Sequence, residues 1–318
     1  MQTFHKLDDV PRDFGPAIVS VGNFDGVHRA HSSVLREIVR RAAGSHIQSV
    51  VVTFEPHPSR ILRPDQNLKL LTPLPEKLRL LEATSVDAVL LLPFSRDLSL
   101  KTPRQFAQEI LKKRLHAREV HEGYNFHFGH KAAGNIHTLR ELGGEKEMGF
   151  EVHDYPEMRL RGEPVSSSHI RKLLSEGRVS RARHLLARPF SILSTAGRGR
   201  GYGTKYTVPT INLAHYEELV PKDGVYITRT RIGGGSNGEC FDSVTNVGNR
   251  PTFGADSFAI ETHLLNFHPL ELSAETEVEI YFLDRLRDEI KFPSVEALKE
   301  QIGLDVRKAQ KYLRRLSR

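Results

Sequence analysis

What most limits the fold of this chain is an alternation. From Ala17 to Arg159, short apolar runs take turns with stretches of helical spacing. The runs "AIVSVGNF" (17–24), "SVVVTFEPHP" (49–58), "DAVLLLPF" (87–94), "REVHEGYNFHFG" (118–129) and "FEVHDYPEMR" (150–159) read as strands. Between them, Ser32–Ala43, "PEKLRLLEAT" (75–84), "PRQFAQEILKKRL" (103–115) and "NIHTLRELGGEK" (135–146) read as helices, with Pro103 suited to a helix start. Strands made of continuous Val, Ile and Leu are covered on both faces. The pattern therefore predicts an α/β domain, a parallel sheet with helices on both sides.

Around Ser180 the texture changes. "SHIRKLLSEGRVSRARHLLARP" (168–189) is helical and basic. After Pro189 come "FSILSTAGRG", "GVYITRTRI", "FDSVTNVG", "FAIETHLLNF" and "ETEVEIYFL", bounded by the glycine-rich "GRGRGYGT" and "IGGGSNGE" and by "NRPTFGAD". Short strands with such turns predict a small antiparallel β-barrel. From Ser294 two helical stretches close the chain. The boundary falls near residue 187, giving domains 1–187 and 188–318 with the basic helices as linker; 318 residues are ample for two domains.

The longest apolar run, "AVLLLPF", is strand-length and too short to span a bilayer. The first residues, "MQTFHKLDDVPRDFG", lack the apolar core of a secretory signal. The single cysteine, Cys240, rules out an intramolecular disulfide and a cysteine-based zinc site. A cytoplasmic location is the expectation. The net charge of +7 suits nucleic acid, an anionic membrane or phosphorylated small molecules. Part of that excess sits in one terminal helix, "VRKAQKYLRRLSR", and no alternation of aromatic and basic residues marks an RNA-binding surface.

Residues 22–31, "GNFDGVHRAH", lie where a strand hands over to a helix. A strand, a glycine turn and a helix start together bind phosphates, because backbone N–H groups and the helix dipole point at the ligand. Gly22 and Gly26 permit a tight turn. His28 and His31, three apart, share a face of the first helical turn. A metal site is the weaker reading, since zinc would need a third ligand and none is evident nearby.

"GNFDGVHRAH" resembles the His-x-Gly-His motif of nucleotidylyltransferases, in the form found in prokaryotic bifunctional riboflavin kinase/FAD synthetases. "TFEPHP" (53–58), "GYNFHFGHKAAGN" (123–135) and "VSSSHIR" (165–171) are similar to further motifs of that family, in the same order and spacing. In the second half, "GYGTKYTVPTINL" (201–213) resembles the riboflavin kinase motif. "PKDGVYIT", "NVGNRPTFG", "IETHLLNF" and "LRDEIKFPSVEALKEQIGLD" match its later segments, so the resemblance spans nearly the whole chain.

The resemblance implies a Rossmann-like nucleotidylyltransferase domain, then a riboflavin kinase-like antiparallel β-barrel with a C-terminal helix. It implies phosphorylation of riboflavin to FMN by the second module and adenylylation of FMN to FAD by the first, with ATP and Mg²⁺. His28 and His31 would act in adenylyl transfer. Gly22, Phe24, Asp25, Gly26, Ser166, Ser167, Arg171, Gly203 and Thr210 would bind ATP or its phosphates. Pro56, Pro58, Asn125, Phe128 and Arg287 would bind flavin. Thr210 and Asn212, two apart in an extended segment, would face one Mg²⁺. Glu261 would be the kinase's general base. The expected partners are small molecules, with no nucleic acid and no membrane; a homo-oligomer is compatible with this reading. Two alternatives stand beside it: an FAD synthetase with a degenerate kinase-like domain, and a nucleic-acid-binding protein using the basic linker and tail.

Several residues depart from the family pattern. Ala30 replaces glycine, Asn125 and Asn266 replace aspartate, Ser168 replaces threonine, and Thr207–Val208 replace Gly-Phe. A methyl at position 30 is harmless if φ there is negative and harmful if it is positive.

Overall fold

The computed structural model describes residues 1–197, 210–234, 238–249, 258–268 and 272–316. It divides into two compact units, Met1–Ser167 and Ser168–Arg318.

The first unit contains β1 (Gln2–Phe4), β2 (Ala17–Val21), α1 (Arg29–Ser45), β3 (Gln48–Glu55), α2 (Pro58–Leu62), α3 (Leu74–Glu82) and β4 (Ala88–Pro93). Then come α4 (Arg96–Leu100), α5 (Pro103–Phe106, continued by a π-helical stretch Ala107–Arg114) and β5 (Ala117–Gly123). The short pair β6 (His127–Phe128) and β7 (Gly134–Asn135), α6 (Ile136–Gly144), β8 (Glu151–Tyr155) and the small hairpin β9 (Arg159–Leu160) and β10 (Glu163–Pro164) complete it. As expected, Pro103 opens α5; Thr102 caps it by accepting from Gln105 N, while the Gln105 side chain accepts from Thr102 N.

The six main strands form a sheet in the order β1-β4-β3-β2-β5-β8, every pair parallel. Strand alternation sends Val50, Val52, Val19 and Leu90 into one core layer with Ile110, Leu111 and Leu139. It sends Ile18, Val51 and Val89 into the other, against Leu35 and Ile38 of α1 and Leu81 of α3. In β2, β3 and β4 both faces are covered at these positions, which is why their centres are apolar, whereas the edge strand β8 is polar and partly exposed. Chain order reverses at β2, whose neighbours are β3 and β5. Ligands of open α/β sheets bind beyond the strand ends at such a reversal.

The second unit holds most of α7 (Ser167–Ser175), α8 (Val179–Leu186), β11 (Phe190–Thr195), β12 (Thr210–Asn212), β13 (Gly224–Ile232), β14 (Glu239–Asn249), β15 (Phe258–Leu264), β16 (Glu277–Arg287) and α9 (Val295–Leu316). Gly177 (φ +75°) separates α7 from α8. Val179, Ala182, Leu185 and Leu186 of α8 are buried, and α8 packs on β16 and β11. The strands make one antiparallel sheet, β11-β16-β13-β14-β15-β12. Its two edges meet through an antiparallel bridge between Ala196 and Leu213, with Gly197 N donating to Asn212 O (2.7 Å) and Ala214 N to Thr195 O (2.9 Å). The sheet thus closes into the expected barrel. Tyr226 and Phe282 fill its largest fully buried positions.

Inside the barrel lies a buried belt of hydroxyls. Thr228, Thr230, Ser243, Thr245 and Thr262 have no exposed surface, and five mutual hydrogen bonds of 2.7–2.9 Å link them. One expectation is corrected: the chain closes with one helix, α9, not two. Gly303 does not take a left-handed φ, so the helix runs straight through it.

Candidate active sites

The first site is built on the turn after β2. Phe24 (φ 46°), Gly26 (φ 83°) and Val27 (φ 35°) are left-handed, and only glycine adopts that backbone without strain. The surroundings hold the turn in place. The buried Asp25 carboxylate accepts from Leu71 N (3.0 Å), Thr72 N (3.0 Å) and Thr72 Oγ1 (3.3 Å). Gly26 N donates to Thr72 Oγ1 (3.0 Å), and Phe24 and Val27 are buried in the α1 core layer. A side chain at Gly22 would lie 3.2 Å from the Phe24 ring.

His28 caps α1 and is buried. Its Nδ1 accepts from His31 N at 3.4 Å, so the neutral ring carries its proton on Nε2. The rings of His28 and His31 stack at 3.7 Å and 14°, and Phe24 packs against His31 at 5.1 Å. His31 Nδ1 is sealed from solvent and has no hydrogen-bond partner among the described residues. Burial first, and then the neighbouring His28, lower the His31 pKa well below the usual imidazole value. Two stacked imidazoles at a helix start cannot readily both be charged without an anion, and a polyphosphate supplies one.

Two of the other motifs touch this turn. Ser167 Oγ donates to Asp25 O at 2.8 Å. Thr53 Oγ1 of β3 donates to Asn23 O at 3.3 Å, and Gly22 N to Val52 O at 2.9 Å. Pro56 and Pro58 follow directly, Pro58 as the first residue of α2. Across β2, the strand β5 ends at Gly123 beside the exposed Asn125. Ser166 is half-buried, and Arg171 belongs to the second unit.

Two expected contacts find other work. Phe128 is buried in the core, edge-on to Phe106 (5.8 Å) and stacked on Phe126 (5.3 Å). Arg287 donates from Nε to the buried Asp305 (2.9 Å) and from its terminal nitrogen to Asp288 O (3.0 Å), tying β16 to α9.

The second site lies on the barrel wall. β12 pairs with β15 so that Thr210 faces His263, Ile211 faces Thr262 and Asn212 faces Glu261. Directly opposed residues share a face of the sheet. Ile211 and Thr262 are buried, so Thr210, Asn212 and Glu261 occupy the opposite face together. Asn246 of β14 flanks Glu261 on the far side. Gly203 lies outside the described residues.

Three supporting residues escaped the sequence reading. Thr72 holds the histidine turn from 46 positions away. Glu122, fully enclosed at the end of β5, accepts from Val21 N, and burial raises its pKa well above the usual carboxylate value. Lys77 is buried on α3 and donates to Phe54 O (3.3 Å). Only Lys77 left a trace, as a cation three residues after Leu74 and four before Leu81 on a helical apolar stripe.

A parallel α/β sheet with stacked histidines at a helix start, joined to a barrel presenting Thr, Asn and Glu on one wall, defines a two-module nucleotide-dependent transferase. The FAD synthetase family matches residues 10–169, and the riboflavin kinase family residues 186–313. The bifunctional riboflavin kinase/FMN adenylyltransferase of Haemophilus influenzae is 32% identical over 312 residues, covering 98% of this chain and 99% of its own. That of Escherichia coli K12 is 30% identical over 308 residues, covering 97% and 96%. A solved structure described as a macrolide-efflux protein from Streptococcus pneumoniae superposes with a TM-score of 0.84 at 26% identity, over 97% of this chain and 98% of that one. The chain belongs to the bifunctional riboflavin kinase/FMN adenylyltransferase family. It phosphorylates riboflavin to FMN and adenylylates FMN to FAD, both from ATP. Among the described residues, no helix is long and apolar enough to cross a membrane.

Proposed function

We propose that the two reactions divide between the two sites at a functional boundary of 187/188, with residues 1–187 making FAD and 188–318 making FMN. The observation that carries this reading is the register that sets Asn212 opposite Glu261 in the barrel, a different compact unit from the one that holds the histidine turn. In the barrel, Glu261 takes the proton from the ribityl hydroxyl as that oxygen attacks the γ-phosphorus of ATP and ADP leaves. Thr210 and Asn212 offer hard oxygen donors on one face, which fit Mg²⁺. When bound, the ion neutralises charge on the transferring phosphate. Gly203 belongs to this ATP site by motif resemblance.

In the first module, a phosphate oxygen of FMN attacks the α-phosphorus of ATP and pyrophosphate leaves. The nucleophile is already ionised at neutral pH, so no general base is required. His28, His31 and the N–H groups at the start of α1 stabilise the charge that develops. Gly22, Phe24, Gly26 and Asp25 shape the turn that aims them; Asp25 does so through Leu71 and Thr72. Ser166, Ser167 and Arg171 keep the phosphate role that their motif implies. Pro56, Pro58 and Asn125 flank the flavin, and Phe128 stiffens that wall from the core. Arg287, held by Asp305, fixes α9 in this reading and keeps the flavin role that its motif implies. The substrates are small molecules, and a cytoplasmic setting with no nucleic-acid partner suits this reading.

The test is Glu261→Gln, assayed with riboflavin, ATP and Mg²⁺. FMN formation should fall by about 10²–10⁴-fold, the usual worth of a general base. Chelating Mg²⁺ should abolish it in the wild type. A Glu261→Gln kinase of undiminished rate would refute the assignment.

A further inference from the structure

One edge of the first unit's sheet carries a cluster that neither transfer site uses. In the β5–β8 pair, Glu119 lies opposite Glu151, His121 opposite His153 and Gly123 opposite Tyr155. These positions share the face that looks toward α1, since Arg41 of α1 donates to Glu119 Oε2 (2.6 Å). His121 is fully buried, with Nε2 2.8 Å from Glu119 Oε2. His153 Nε2 stands 3.5 Å from that oxygen and 3.5 Å from Glu151 Oε2. The two rings stack at 4.5 Å and 25°. One donor atom from each of Glu119, His121 and His153 lies within 4.8 Å of the other two.

Zinc bonds of about 2.0–2.1 Å in a tetrahedron put neighbouring donors roughly 3.3–3.5 Å apart. The 3.5 Å between His153 Nε2 and Glu119 Oε2 already matches that spacing, while the 2.8 Å between His121 Nε2 and Glu119 Oε2 has to open. Two further observations point to a metal. His121 Nδ1 is 2.7 Å from the Tyr155 hydroxyl, the outer partner that fixes an imidazole tautomer and turns Nε2 toward a metal. His153 Nε2 is sealed from solvent and has no hydrogen-bond partner among the described residues, although the residue itself is half-exposed. That nitrogen stands 3.5 Å from each of two carboxylates, an ion pair when the ring is protonated and a donor set for a metal when it is neutral.

We propose that Glu119, His121 and His153 form a site for a divalent transition metal of the zinc type, with Glu151 or water in the fourth position. Imidazole donors favour such an ion over Mg²⁺, which separates this site from the ATP sites. Its ligands come from two neighbouring strands, so the ion would pin the edge strand β8 to β5, the strand that runs into the Asn125 loop. Arg41 is the competitor: its guanidinium now occupies Glu119 Oε2.

The experiment titrates Co²⁺ into chelator-treated full-length protein and follows visible absorption, then displaces Co²⁺ with Zn²⁺. The expected result is one equivalent with ligand-field bands that vanish on adding Zn²⁺. His153→Ala, on a half-exposed edge strand, and Glu119→Gln should each lose the bands while keeping wild-type circular dichroism. The double variant His28→Ala/His31→Ala should keep them. Arg41→Ala, which removes the competing cation, should bind Co²⁺ several-fold more tightly, a gain that misfolding cannot produce. Absence of bands in the wild type, or bands unaltered by His153→Ala and Glu119→Gln, would overturn the proposal and leave a network of ion pairs.

Discussion

Ala30 separates the two stacked histidines where the motif that this stretch resembles has glycine. Its backbone is not left-handed, so the methyl strains nothing and the departure is benign. Ala30→Gly should therefore lower stability by about 0.5–1 kcal/mol through backbone entropy and leave the FAD-forming rate unchanged. Thermal denaturation together with an FMN adenylylation assay checks both halves. Glu122 makes a sharper case. Burial raises its folded pKa, so above about pH 4.3 the unfolded chain gives up a proton that the folded chain keeps. Stability contributed by the protonated carboxyl is then lost as pH rises, by up to about 1.4 kcal/mol per pH unit until the folded pKa is passed. Glu122→Gln keeps an oxygen for Val21 N and removes the titration. It should match the wild type near pH 4 and exceed it increasingly toward pH 8 in urea denaturation; parallel curves would show that Glu122 is ionised in the fold. His31 acts in the opposite sense: its lowered folded pKa costs stability as pH falls below about 6.5. That contribution is common to both proteins and cancels in the difference. At this scale His28 and His31 were legible because they are neighbours in one motif. Thr72 and Glu122 were not, because their partners lie 46 and 101 residues away.

At the scale of elements, the alternation of apolar runs and helices specified the parallel sheet well, since a strand covered on both faces has little choice but to be apolar throughout. The barrel was legible through its glycine-rich turns, but its interior was not. Thr and Ser are ordinary strand residues, and nothing in their sequence marks Thr228, Thr230, Ser243, Thr245 and Thr262 as a closed hydroxyl belt. Thr228 bonds both Ser243 (2.7 Å) and Thr245 (2.7 Å). Thr228→Val keeps the shape and leaves both hydroxyls one partner short, at a cost of about 1–3 kcal/mol. A measured loss well under that range would mean the belt relaxes around the gap. The terminal helix shows the converse limit. Two helical stretches are expected after Ser294, yet Gly303, with ordinary helical backbone, interrupts nothing, and apolar positions such as Ala309 and Leu313 stay on the barrel-facing side.

For the whole molecule, sequence texture separates the modules near residue 187, while packing divides the chain at Ser167/Ser168. The two boundaries answer different questions. The change from helices to short strands marks where the barrel begins; α8 lays Val179, Ala182, Leu185 and Leu186 against it and so joins it physically. A basic composition hid that attachment, because Arg181 and His184 are exposed and the apolar stripe of α8 is short. On the proposed division, one chain holds two independent transfer sites. The most direct measurement follows riboflavin, ATP and Mg²⁺ by chromatography with Glu261→Gln, with His28→Ala/His31→Ala, and with the two variants mixed. We predict that Glu261→Gln makes FAD only from added FMN, that the double variant stops at FMN, and that the mixture restores FAD from riboflavin. Equal loss of both reactions in each variant, with no recovery on mixing, would contradict it.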